Sequence, residues 1–105
     1  MSNIKLVYIT CKNVREANDI ANKLLKNRLV ACSNIISNTT SFFNWNNKLK
    51  KTRESILIAK TIKKKKMKII DMVKKNHSYV NPCIIFFDVE SGSELFFNWI
   101  KKCLK

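Results

Sequence analysis

Glycine and proline each occur once in the 105 residues, as Gly92 and Pro82. One glycine excludes a glycine-rich phosphate loop and a dinucleotide-binding turn, which need two or three. It also excludes a flexible linker between two domains, so residues 1–105 are expected to form one domain. Histidine occurs once, as His77, so no Ser-His-Asp arrangement can be built around another imidazole. No run approaches the roughly 18 apolar residues of a membrane span, and no membrane partner is expected. The first ten residues lack a charged region followed by a long apolar stretch and small cleavage residues. A secretory signal is therefore not expected, and a cytoplasmic location is the default. The cysteines, Cys11, Cys32, Cys83 and Cys103, are far apart, and no Cys-x-x-Cys occurs. Zinc-ribbon and thioredoxin-like sites are thereby excluded. Without a signal, the thiols are expected to be free and to act as small buried hydrophobes, Cys103 foremost.

Negative charge is also scarce. Seven acidic residues face 21 basic ones, giving a net charge of +14. Such a balance can mark a nucleic-acid binder. Only three of the 21 are arginine, however, the side chain whose planar fork suits phosphate. The abundance of Lys, Asn and Ile fits drift toward AT-rich codons, and no specific nucleic-acid partner is expected.

What is present is a regular alternation of elements. Ile4 to Cys11 reads as a strand. Asn13 is placed to cap a helix, with Glu16 three residues on to close a capping box. Val14, Ala17, Ile20, Ala21, Leu24 and Leu25 supply that helix's apolar face. Leu29 to Trp45 is extended, Asn46-Asn47 suits a two-residue turn, and the return strand runs from about Lys48 to Thr61. Lys63 to Lys75 reads as a second helix and Asn76 to Pro82 as a loop. Cys83 to Val89 is a continuous apolar run, as expected of a central strand. Ser91-Gly92-Ser93 precedes a last helix, Glu94 to Leu104.

The order β-α-β-β-α-β-α predicts an α+β, ferredoxin-like split βαβ fold. Its antiparallel sheet carries a long hairpin between the second and third strands and is followed by a C-terminal helix. Right-handed crossovers place the first strand between the third and fourth and the second at an edge. The third strand lacks the aromatic-and-glycine signature of an RNA-recognition module. No readable nucleophile–base pair marks the chain as an enzyme, and none is expected.

Five stretches, in order and with consistent spacing over about residues 5–101, resemble the CutA divalent-cation-tolerance family. Leu29-Val30-Ala31-Cys32-Ser33-Asn34-Ile35-Ile36 is similar to its "LaACvNii" segment. Ser41 to Lys48 is similar to its "SxYxWxGK" hairpin tip, and Glu54 with Leu57 to Thr61 to "E…LxxKT". His77 to Ile84 resembles "HPYxxPEI", and Phe96-Phe97-Asn98-Trp99 resembles "YLxW". The chain departs at Phe43 for Tyr, Asn47 for Gly, Ser78 for Pro and Cys83 for Glu. The resemblance implies a homotrimer of ferredoxin-like subunits with a role in divalent-metal tolerance and copper binding, without catalysis. An alternative is a small-ligand sensor or signalling trimer similar to nitrogen-regulatory proteins.

Cys32, His77 and Cys83 are the candidate metal ligands, since thiolate and imidazole suit copper or a similar cation. Cys11 ends the first strand and Cys83 starts the fourth, neighbouring ends in the antiparallel pairing, so these two thiols are expected to be able to approach. No cofactor is expected to be obligatory. Glu54, Lys60 and Tyr79 match family positions and are candidates for a ligand-binding intersubunit cleft. Phe43 and Trp45 share a strand face at the hairpin tip and are the candidate interface residues.

Overall fold

A computed structural model of the chain describes residues 3–105. The strands are β1 (Ile4–Cys11), β2 (Cys32–Trp45), β3 (Lys48–Ile62) and β4 (Ile84–Asp88). The helices are α1 (Val14–Lys26), α2 (Lys66–Asn76) and α3 (Glu94–Cys103), and a 3-10 turn, Lys63–Lys65, leads into α2. All pairings are antiparallel, in the order β2-β3-β1-β4. This is the expected ferredoxin-like arrangement, with β1 inside and β2 at an edge.

Two expectations need correction. The run from Cys83 contains an edge strand, not a central one. It is apolar on both sides because Ile84 and Phe86 pack on the helix-covered core, while Ile85 and Phe87 belong to the opposite sheet face, half exposed. The fully buried thiol is that of Cys11, whereas Cys103 is only partly buried. Cys103 lies at the end of α3, beside the smaller core cluster.

Local chemistry sets the element ends. Asn13 caps α1 by accepting the Glu16 N–H at 2.9 Å, and Ser93 caps α3 by accepting the Phe96 N–H. Asn46 and Asn47 both have positive φ, 52° and 62°. Asparagine tolerates this conformation, which a two-residue hairpin turn demands. Thr61, fully buried, donates its hydroxyl to the Leu29 carbonyl at 2.6 Å and so fixes the entry to β2.

The two faces of the sheet are unequal. Val7, Ile9, Cys11, Leu57 and Ala59 lie under α1 and α2, packed with Ala17, Ile20, Leu24, Ile69 and Val73. On the other face α3 covers one end, where Ile100 and Leu104 meet Ile4 and Ile62. Beyond that end the register aligns three rows. Phe87, Leu6, Lys60 and Cys32 form the first, Ile85, Tyr8, Ile58 and Asn34 the second, and Thr10, Ile56 and Ile36 the third. None of these residues is fully buried, and Ile36, Ile85 and Phe87 are about half exposed. Past a register shift between Ile36 and Thr39, the β2–β3 hairpin leaves β1 behind, since β1 pairs with β3 only from Ser55 to Ile62.

Candidate functional site

At the C-terminal end of β1 the chain draws together a buried polar knot. Cys11 is the last residue of β1, Glu16 stands in the first turn of α1, and His77 follows α2. One donor atom of each lies within 4.8 Å of the others. Among the described residues this is the one such group of three thiol, imidazole and carboxylate side chains.

Every heteroatom of the His77 and Glu16 side chains has a partner. The Tyr79 N–H donates to His77 Nδ1 at 3.0 Å. Nδ1 therefore accepts, and Nε2 carries the hydrogen that meets the Thr10 carbonyl at 2.7 Å. This is the neutral Nε2–H tautomer. Glu16 Oε1 accepts the Lys12 N–H at 3.0 Å and Oε2 accepts the Ser78 N–H at 2.9 Å. The capping box thus reaches one residue past the cap and also clamps the loop after α2. His77 Nε2 stands 3.7 Å from Glu16 Oε1.

Burial pushes the Cys11 thiol up to about 12, with the charges of Glu16 and Glu54 adding to the effect. The thiol is therefore protonated at neutral pH. Burial by itself would raise Glu16. The hydrogen bonds from Lys12 and Ser78 outweigh it, and the carboxyl sits below its ordinary value.

Beyond this knot, on the less covered sheet face, lies a cavity of about 980 Å³. Thr10, Ser41, Phe43, Trp45, Thr52, Glu54, Tyr79 and Cys83 line it, with Lys50 at the hairpin. The Tyr79 hydroxyl donates to Glu54 Oε2 at 2.7 Å. Burial and that bond to a carboxylate push the phenol's pKa upward. His77 and Tyr79 rings lie 4.8 Å apart, so the knot and the cavity share one loop.

The expected site residues separate in this geometry. Glu54 and Tyr79 meet as a bonded pair, and Phe43 and Trp45 line the same cavity. Lys60 does not join them; its ammonium bonds Asn34 in the adjoining strand. Of the expected metal ligands, His77 is in the knot, and Cys83 lines the cavity. Cys32 is remote from both. It is level with Leu6, whereas Cys83 precedes Ile84, the partner of Ile9. Four residues along a strand and three strand spacings across are each about 13–14 Å. A set of Cys32, His77 and Cys83 within one subunit is therefore not formed. Cys11 and Cys83 do not approach either, because alternation sends Cys11 into the core and Cys83 to the opposite face. Cys11 meets His77 and Glu16 rather than Cys83, and Glu16, which reads only as a cap, is the donor not expected.

A family model described as CutA1 divalent ion tolerance protein matches residues 5–103. The divalent-cation tolerance protein CutA of Archaeoglobus fulgidus is 38% identical over 99 residues, covering 94% of this chain and 96% of that protein. The chain spans just over half of the human Protein CutA, 55%, at 28% identity and 94% coverage of this chain. The crystal structure of divalent ion tolerance protein CutA1 from Ehrlichia chaffeensis superposes with a TM-score of 0.93. That likeness is at 33% identity and covers all of this chain and 98% of the other.

Glu16 makes the knot acid-sensitive. Its carboxyl titrates lower in the folded chain than the reference 4.5. It contributes stability that is present above that reference and is lost as pH falls through the folded value. Thermal unfolding should show wild-type stability falling as pH drops below about 4.5. A Glu16→Gln variant, weaker at pH 7, should show a smaller fall, and equal acid sensitivity would contradict the assignment.

Proposed function

The chain belongs to the CutA1 divalent ion tolerance family, and on that premise we propose that it works as a cytoplasmic homotrimer that binds copper or a similar cation without catalysis. The observation that carries this reading is the uncovered apolar face of the sheet, continued onto the hairpin by Phe43 and Trp45. Trp45 is 62% exposed and Phe43 42% in the single subunit. Large aromatic side chains on a projecting edge are unfavourable in water and invite a partner. Closed symmetry satisfies every copy of such a surface at once. The four free thiols fit a reducing compartment.

For the cation, the knot offers one thiol, one imidazole and one carboxylate, a donor set that suits copper. Binding would take the proton from Cys11 and displace the Nε2–H bond to Thr10, so affinity should be moderate and should weaken as pH falls. Cys83, on the opposite face, is a separate soft donor at the cavity. A non-catalytic role is supported by the same bonds, because a protonated thiol and a doubly engaged imidazole make a poor nucleophile–base pair. The sensor reading has one observation in its favour, the cavity around Glu54 and Tyr79. A metabolite retained in native mass spectrometry would support it over the cation.

Two experiments follow. Trp45→Ala should weaken assembly by roughly 2–4 kcal/mol and leave the subunit's circular dichroism unchanged, as its core is untouched. Unaltered assembly in sedimentation would place Trp45 outside the interface. In cupric-ion titrations, Cys11→Ser and His77→Asn should each weaken binding about tenfold or more, while Cys32→Ser should not. Equal affinity in all three would remove the knot as the cation site.

A further inference from the structure

Away from the knot and the hairpin, two segments distant in sequence converge on a groove of about 670 Å³. Lys63, Lys64, Lys101 and Lys105 rim it, and Ile62, Met67 and Leu104 supply its apolar surface. Asn3 completes the lining, its carbonyl accepting the Lys63 N–H at 2.9 Å. No acidic side chain lines the groove. None stands in the first turn of α2 or in the 3-10 turn before it. Asp88, the carboxylate whose field reaches Lys63 and Lys66, is bonded to Lys5 at 2.8 Å.

Compositional drift accounts for lysines scattered over a solvated surface. It does not account for four lysines from two segments distant in sequence lining one concavity. Like charges gathered there repel, and no acidic side chain of the lining offsets them. A multiply charged anion would remove it, gaining several ammonium contacts at once. Lysine suits such a ligand as a flexible point charge, without the fixed fork of arginine. The concavity is wide enough for more than a single phosphate, and its apolar surface gives no hydrogen-bond acceptors to repel one.

We propose that this groove binds a condensed phosphate, the polyphosphate group of either an inorganic chain or a nucleoside triphosphate. The site is separate from the cation knot and does not depend on assembly through the hairpin.

The test is calorimetric titration at 150 mM salt, where long-range attraction is largely screened. Tripolyphosphate should bind wild-type protein, orthophosphate should bind far more weakly, and a Lys63→Gln/Lys64→Gln/Lys101→Gln variant should lose about tenfold or more in affinity. A charge-matched Lys26→Gln/Lys74→Gln/Lys75→Gln variant should stay within about twofold. A nucleoside triphosphate tighter than tripolyphosphate would assign the source to nucleotides, and the reverse to inorganic chains. Amide chemical-shift mapping on wild-type protein needs no variant and should move Lys63, Lys64, Met67 and Lys101. Equal losses in both variants, shifts spread over the whole basic surface, or no binding of either ligand would overturn the proposal.

Discussion

Strand β3 has fifteen residues and β1, its inner neighbour, has eight. The hairpin and the cavity beneath it depend on that mismatch. Where β1 backs it, from Ser55 to Ile62, β3 is part of an ordinary helix-covered sheet. Where β1 stops, β3 and β2 continue as a bare two-stranded ribbon, which is marginal by itself in water. The ribbon is held by its register, by the two positive-φ asparagines at its tip and by whatever covers its aromatic residues. The cavity exists because the ribbon overhangs the end of β1, and the loop from His77 to Cys83 closes the same end from the other side.

That end is also where buried polar chemistry collects. Glu16 serves three structures with two oxygens: it sits in the capping turn, holds the Lys12 N–H and holds the Ser78 N–H. His77 then ties the loop to β1 through Thr10. The loop is therefore stiff without glycine, and it delivers Tyr79 to Glu54 at the cavity wall. The same bonds that give the knot its rigidity also occupy its donors. On the proposed function, a cation would compete with them and with the proton on Cys11.

Much of the architecture was legible in the sequence. Strand propensity, the Asn13–Glu16 cap, the Asn46-Asn47 turn and the order of elements suffice for the topology, because local signals and crossover handedness agree. Alternation alone placed Phe43 and Trp45 on one face. The misplacements share a cause. Cys32, His77 and Cys83 have the right chemistry, but which thiol meets the imidazole depends on register and face, and a shift of one residue changes the face. Cys11 was matched to Cys83 by strand ends alone, which ignores that the two side chains leave the sheet on opposite faces. The apolar run of β4 reads as central, although the crossover order already puts it at an edge, because a strand with one face under helices and the other half exposed and apolar is apolar on both.

On the proposed function, the open sheet face and the hairpin are covered by other copies of the chain. Sedimentation equilibrium of the wild-type protein at micromolar concentration should then give a mass three times the 12.3 kDa of the chain. A species of 12.3 kDa that stays soluble and folded would contradict it.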